Sequence, residues 1–320
     1  MTPKGGSSPQ IPLPTNDGFS THHITFLKYI RDVSDLHLYG LDFTSKPRRA
    51  KPVTCVYARL SGDTLHIEQL EPLIDFSAFE SLLSRSGPWT MGIDAPLAQP
   101  RRLVEALGWS PIWSEYVEEV AALGKEGFEK TLKDYMAARP KGDKLHRREV
   151  DSLANAVSPM ALSYVPVGKM FFELAPRLLR TDLNVPLLRE TAADRTVLEV
   201  YPALVTRQII GKRKYKSDTK QKQTEGMREA RQEVIEALNS GVYGLRLELG
   251  DVLSAYLLDD ATGDALDATL CAVQTAWALK QENYGMPGGV DGLEGWIADP
   301  TLKPTLDSGI SAKETAKKAA

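Results

Sequence analysis

Two apolar stretches of this chain stop at nearly the same tripeptide, and this repeat constrains the fold more than any other feature. The first stretch ends in Gly40-Leu41-Asp42 and the second in Gly92-Ile93-Asp94. Strands that end in a carboxylate bring negative charge to one edge of a sheet, which is where open α/β sheets place their ligands. A turn is the alternative for each Asp, because Asp also favours chain reversals.

The segments around the first tripeptide predict an antiparallel start to the sheet. Apolar alternation indicates strands at residues 37–43, 53–60 and 64–70. The short connection Ser61-Gly62-Asp63 is typical of a hairpin between the second and third strands.

The segments that follow predict a change to parallel pairing. Apolar residues at helical spacing indicate a helix from Phe76 to Leu83, and Trp89 to Asp94 then returns as a strand. A strand reached through a helix usually lies parallel to an earlier strand. With a fifth strand at residues 195–201, we expect an α/β fold. Its mixed five-stranded sheet is antiparallel in the first three strands, then parallel, and is flanked by helices.

The pattern divides the chain into three regions. Residues 1–35 are predicted to form a partly flexible N-terminal extension, and residues 301–320 a flexible tail. Residues 36–300 form the predicted domain, with a helical insertion after the fourth strand at about residues 100–190.

Composition describes an ordinary globular protein. The chain has 320 residues, of which 42% are hydrophobic and 25% charged, and its net charge is −3. Any nucleic-acid surface must therefore be local, because the global charge is slightly acidic. Cys55 and Cys271 form no metal-ligand spacing and no disulfide framework. Neither a signal-like apolar core at the N-terminus nor a long uncharged apolar run occurs, so we expect a cytoplasmic protein.

A late helical pattern carries two further carboxylates. Asp264 and Asp267 are three residues apart and share one face of a helix predicted at residues 262–280. A stripe of small residues on this helix would let it lie close to a sheet: Ala265, Ala268, Ala272 and Ala276. The alternative is that Asp264 only favours the positive end of the helix dipole.

Glu199 has two open interpretations. It lies between Leu198 and Val200, so strand alternation directs its side chain away from theirs. The carboxylate then faces solvent or joins the acidic residues.

Five motifs taken together resemble a known family. They are Gly-Leu-Asp-Phe-Thr-Ser at 40–45, Gly-Ile-Asp-Ala-Pro at 92–96, Glu-Val-Tyr-Pro at 199–202, Tyr-Lys-Ser-Asp at 215–218 and Gly-Asp-Ala-Leu-Asp-Ala at 263–268. The set resembles a bacterial domain-of-unknown-function family described as predicted nucleases of the ribonuclease H-like fold, distantly similar to Holliday-junction resolvases. That superfamily places one Asp on the first strand, one acidic residue on the fourth, and an acidic pair on a late helix. Position by position, these are Asp42, Asp94, and Asp264 with Asp267.

The resemblance implies a metal-dependent nuclease. Asp42, Asp94, Asp264 and Asp267 are the expected ligands of Mg²⁺ or Mn²⁺, and Glu199 is a further catalytic candidate. Hard cations of this kind prefer carboxylate oxygens. Phosphate-bearing substrates need cations and hydroxyls nearby, and the expected partner is RNA or DNA. The candidate substrate contacts are Thr44, Ser45, Lys212, Lys214, Tyr215 and Lys216.

Two other functions fit parts of the sequence. An ATP-dependent phosphotransferase of the sugar-kinase and actin type also opens with a Gly-x-Asp strand and turn. The stretch Gly40 to Ser45, however, lacks a glycine that would let phosphate approach the turn closely. A non-catalytic nucleic-acid or protein binding module on the same fold is the other alternative, and metal-dependent activity distinguishes it from a nuclease.

Overall fold

Six strands form the central sheet in this computed structural model, which describes residues 36–303. They are β1 (Leu36–Asp42), β2 (Val53–Ser61), β3 (Thr64–Leu73), β4 (Trp89–Asp94), β5 (Arg195–Glu199) and β6 (Arg246–Glu248). Their order across the sheet is β5-β4-β1-β2-β3-β6. The first three strands are antiparallel, β4 lies parallel to β1, and β5 lies parallel to β4. The predicted extension at residues 1–35 and most of the predicted tail lie outside the described residues.

The prediction of five strands is wrong, because β6 adds a sixth strand. It pairs in parallel with the start of β3, and Leu247 lies opposite Leu65. Only Leu247 of its three residues is buried. A segment this short, with Arg246 and Glu248 on either side of one apolar residue, carries no alternating pattern long enough to indicate a strand.

Nine helices occur between residues 36 and 303. They are α1 (Phe76–Leu83), α2 (Arg101–Leu107), α3 (Trp113–Ala137), α4 (Glu149–Leu153), α5 (Val167–Leu179), α6 (Pro202–Ile210), α7 (Glu225–Ser240), α8 (Asp251–Asp259) and α9 (Asp264–Leu279). Four of them, α2 to α5, lie between β4 and β5, in the stretch where the helical insertion was predicted. Within the described range, no helix is both long enough and apolar enough to cross a membrane.

The sheet separates two apolar cores. Leu41 and Met91 on one face pack in a core with the aromatic residues Trp113 and Tyr116 of α3. The opposite face carries Leu38, which belongs to a core that includes residues of α7 and α9. Successive strand residues point to opposite faces, so the sequence position of a residue decides which layer its side chain meets.

Glycines on two neighbouring strands let α9 lie against the sheet. Gly40 and Gly92 are register partners in the parallel β1–β4 pair. A Cβ at Gly40 would overlap backbone atoms of Ala268 and Ala272, and a Cβ at Gly92 would overlap the Thr275 hydroxyl. The first residue of each repeated Gly-Leu/Ile-Asp tripeptide therefore makes room for the helix. The Asp, two residues further on, points to the same face.

Candidate metal centre

Three carboxylates meet at the carboxyl ends of the central strands. Asp42 and Asp94 are the last residues of β1 and β4 and are register partners. Asp267 lies in the first turn of α9, which covers this face. One carboxylate oxygen from each residue lies within 4.8 Å of the other two. We call Asp42, Asp94 and Asp267 the carboxylate cluster.

The carboxylate cluster is electrostatically costly. Burial, followed by the negative charge of Asp267, raises the pKa of Asp42 well above its usual range. The same two causes raise the pKa of Asp94 to about 7. Carboxyl groups this close together retain their protons unless a cation neutralises the negative charge. The cluster therefore has a strong electrostatic demand for positive charge.

Lys216 supplies part of that charge from within the chain. Its ammonium donates a hydrogen bond to Oδ2 of Asp267, while the hydroxyl of Tyr215 donates to Oδ1 of the same residue at 2.6 Å. Burial alone would lower the pKa of Lys216, but Asp267, Tyr215 and Asp42 together raise it well above the ordinary value. Gly263 leaves room for this lysine, because a Cβ there would overlap the Lys216 side chain.

These residues fit a divalent cation. All three donor groups are carboxylates, the ligand type that Mg²⁺ and Mn²⁺ prefer. The Lys216 ammonium on Asp267 also shows that the cluster accommodates a positive charge within hydrogen-bonding distance of a carboxylate. The buried acidic cluster could therefore bind a metal ion.

Asp264 lies beside the cluster and has its own partner. Lys51 bridges Asp264 at 2.7 Å and Asp218 at 2.9 Å. Burial raises the pKa of Asp264, and the hydrogen bond from Lys51 opposes that increase. Asp260, rather than Asp264, accepts the backbone N–H of Ala265 near the start of α9, at 3.0 Å. The structure thus places Asp264 outside the three residues whose oxygens converge.

Glu199 does not join the carboxylate cluster. It is the register partner of Ile93, so its side chain leaves the sheet on the face opposite Asp94. Arg148 contacts both of its oxygens, at 2.5 and 2.7 Å, and the backbone N–H of Leu97 donates to it at 2.9 Å. Glu199 is buried away from the cluster, so it neither faces solvent nor joins the acidic residues, which were the two predicted positions. It ties the turn after β4 to the helical stretch between β4 and β5.

The remaining candidates for substrate contacts fall into two places. Thr44 and Ser45 are half-buried in the turn that directly follows β1 and Asp42. Lys212 and Lys214 are exposed and line a cavity of about 240 Å³ together with Arg207 and Lys216. We call this space the basic cavity. Tyr215 is buried and bonded to Asp267, so it anchors the loop that carries these lysines.

Two contacts of the site are not predictable from the sequence motifs. Lys51 was not singled out as a partner of Asp264, and Arg148 was not connected with Glu199. Both pairs join segments far apart in the chain, by 213 and 51 residues. The sequence signal for Lys216 was the Tyr-Lys-Ser-Asp motif, which predicted a substrate contact and not a bond to Asp267.

Comparison of the chain with models of known protein families identifies its family. The family model described as "Protein of unknown function (DUF429)" matches residues 40–291. The chain belongs to this family. The match includes the carboxylate cluster, Lys216 and the whole stretch between β4 and β5. No curated protein and no solved structure gives a significant match to the chain.

Proposed function

We propose that this protein hydrolyses nucleic-acid phosphodiester bonds with Mg²⁺ or Mn²⁺ held by Asp42, Asp94 and Asp267. The observation that carries the proposal is the convergence of these three carboxylates within 4.8 Å at one edge of the sheet. Bound there, the cation would supply charge stabilisation at the phosphate and a more acidic water.

The arrangement of the acidic residues supports a ribonuclease H-like architecture as part of this proposal. The first strand and the fourth strand each end in an Asp, and a late helix carries Asp264 and Asp267 three residues apart. The first three strands are antiparallel and the next two are parallel. This is the pattern of strands and acidic residues expected from the resemblance.

The chain's own residues have separate roles in this proposal. Asp42, Asp94 and Asp267 provide oxygen ligands, and Tyr215 fixes the orientation of Asp267 through its 2.6 Å hydrogen bond. Lys216 lies where its ammonium can exchange Asp267 for a phosphate oxygen of the substrate. Lys212 and Lys214 are exposed, and neither forms an ion pair with any described residue, so both are available to phosphates further along the strand.

Hydrolysis needs no other reactant than water. A water oxygen forms a bond to phosphorus and the bond from phosphorus to one ester oxygen breaks, with its electron pair leaving on that oxygen. The proton lost by the water balances the proton taken up by the leaving oxygen. The cations around the site stabilise the negative charge that builds up on the phosphate.

A panel of labelled RNA, DNA, RNA–DNA hybrid and branched substrates tests the proposal. We expect wild-type protein to cut at least one of them with Mg²⁺ or Mn²⁺, and no cutting with a chelator. Asp42→Asn should lose at least about 100-fold in rate, as expected when charge stabilisation at the reacting group is lost. Asp251→Asn, an exposed position at the start of α8, is the matched control and should cut like wild type. If Asp42→Asn is as active as wild type, or if nothing is cut, the proposal is wrong.

A further inference from the structure

A cavity with a mainly apolar lining, distinct from the basic cavity, opens directly beside the carboxylate cluster. It has a volume of about 220 Å³, and Asp42 and Asp94 form part of its lining. Aliphatic side chains before and within α5 form much of the rest: Val157, Val165, Val167 and Met170. We call this space the apolar cavity. Whatever occupies it lies next to a group held at the carboxylates.

The exposure of its wall indicates that the apolar cavity is not simply part of the core. Val157 and Val165 keep 40% and 52% of their surface exposed. Both side chains also line the cavity beside Asp94. Exposed aliphatic groups at the mouth of a polar site are typical of ligand-binding clefts.

The volume limits the occupant to about one ring system. An apolar cavity of about 150 Å³ is known to bind benzene, whereas drug-sized ligands occupy about 300 to 1,000 Å³. At about 220 Å³, this space is suited to a single planar group somewhat larger than benzene. A nucleobase has that size, and stacked base pairs do not fit.

The polar residues of the apolar cavity leave few donors for recognising a particular base. All three nitrogens of the Arg148 guanidinium donate to protein oxygens, on Asp151, Glu199 and the Glu294 carbonyl. The Tyr201 oxygen accepts a hydrogen bond from Arg207 at 3.1 Å. Recognition in this cavity therefore depends mainly on shape and apolar contact, which accept either a purine or a pyrimidine and do not select one specific base.

Tyr201 connects the apolar cavity to the basic cavity. It lines the first, and its partner Arg207 lines the second together with Lys212 and Lys214. The carboxylate cluster adjoins both spaces, because Asp42 and Asp94 line the apolar cavity and Lys216, the partner of Asp267, lines the basic cavity. A nucleotide has the matching sequence of parts: a planar base, a phosphate and then the next phosphate of the strand.

We infer that the apolar cavity receives the unstacked base of the nucleotide whose phosphate lies at the carboxylate cluster. This inference rests on the proposed function, because it takes the cluster as the site of the scissile phosphate. A base inside the cavity cannot be paired or stacked at the same time. The preferred substrate is therefore a single strand, or a nucleotide flipped out of a duplex, and not an intact helix.

An abasic scan tests the inference with the wild-type protein. Single-stranded oligonucleotides that carry one abasic nucleotide at successive positions around the cut are compared with the intact strand. Base contacts of this kind are worth about 10- to 100-fold. We expect kcat/KM to fall by that factor at one position only, and annealing the complement to slow cutting. Equal cutting of every abasic strand would overturn the inference and leave the proposed hydrolysis standing.

A filling variant provides the matched test in the protein. Val165→Trp places a large side chain in the apolar cavity from an exposed position, and Val252→Trp on α8, 87% exposed, is its control. Val165→Trp should lower kcat/KM about 10-fold or more on the intact strand and leave it unchanged on the strand abasic at the sensitive position. An equal loss on both strands would contradict occupation of the cavity by that base.

A binding measurement keeps the inference testable if no strand is cut. A single strand with the fluorescent base 2-aminopurine at each position in turn is titrated with wild type and both variants in Mg²⁺, the cation through which the cluster would hold the phosphate. Thermal unfolding confirms that each variant is folded. We expect a change in fluorescence with wild type and Val252→Trp that Val165→Trp lacks. The same change with all three proteins, or with none, would overturn the inference, whereas failure of hydrolysis alone would overturn only the proposed function.

Discussion

Asp42 and Asp94 are register partners at the ends of two adjacent parallel strands, so two carboxylates lie side by side on one face of the sheet. Asp267 joins them from α9 within 4.8 Å. Lys216 offsets only part of this negative charge, so the arrangement opposes folding unless a further cation binds, because burial and mutual repulsion both disfavour the charged forms. A site that costs stability when empty of cations is typical of function and not of structural support.

Asp94→Asn should therefore stabilise the protein in chelator. The pKa of Asp94 is raised from 3.8 to about 7, first by burial and then by Asp267. The folded state thus keeps a proton that the unfolded state releases, so stability falls as pH rises from about 4 to about 7. Asn has no such proton to lose. We expect a gain on the order of 4 kcal/mol above pH 7 and almost none near pH 4, measured by urea unfolding. A gain that does not depend on pH would contradict this explanation.

Lys216→Ala should tighten metal binding while it slows hydrolysis. The Lys216 ammonium donates to Asp267 and would therefore compete with a metal ion for the carboxylate cluster. Its removal should strengthen Mn²⁺ binding about tenfold, if the competing interaction is worth about 1.4 kcal/mol. Cutting should still slow, because the lysine no longer meets the phosphate. Lys220→Ala, an exposed position of the same loop, is the control. Weaker Mn²⁺ binding in Lys216→Ala would show that the lysine supports the metal site instead.

Gly40→Ala should separate α9 from the sheet. The added methyl group would overlap backbone atoms of Ala268 and Ala272, which cannot rotate away. Overpacking of this kind costs about 1–3 kcal/mol, and the shift of Asp267 should also weaken metal binding. Gly288→Ala, where a Cβ meets nothing within 4 Å, should leave both properties unchanged. Denaturant unfolding and Mn²⁺ titration measure the two effects, and an unchanged Gly40→Ala would contradict the close approach of α9.

The buried ion pair of Arg148 and Glu199 should stabilise the fold without contributing to metal binding at the carboxylate cluster. Arg148→Ala leaves two carboxylates, Glu199 and Asp151, buried without their partner, which costs about 3–5 kcal/mol of folding free energy. Glu199→Gln should also destabilise the protein, yet it should leave Mn²⁺ affinity within about threefold of wild type. Isothermal titration of the folded Glu199→Gln protein measures this affinity. A loss as large as that in Asp42→Asn would assign Glu199 to the metal site.

The central strands and their carboxylates were predictable because each depends on local sequence. Alternation located β1 to β4, and the repeated tripeptide singled out Asp42 and Asp94. Helical spacing placed Asp267 on a helix, and the small residues beside it indicated close packing. The structural role of the glycines became clear only with α9 in position, because it depends on atoms more than 170 residues away in the chain.

The rest of the site depends on contacts between distant segments. β6 is a strand only because it pairs with the edge strand β3, and its three residues are too few to show an alternation of apolar and polar residues. Glu199 shows the limit of alternation: the period of two gave the correct face but could not reveal that Arg148 covers it. The apolar cavity is likewise assembled from β1, β4, β5 and the loop before α5, so no single stretch of sequence predicts it.

The most direct test of the account is Mn²⁺ binding, measured from the paramagnetic resonance signal of free Mn²⁺ at neutral pH. We predict saturable binding by wild type and by the exposed control Asp251→Asn. Asp42→Asn and Asp267→Asn should each lose at least about tenfold in affinity, because each removes one of three convergent carboxylates. Wild-type affinity in Asp42→Asn, or no saturable binding by any of these proteins, would contradict the claim that the cluster is a metal centre.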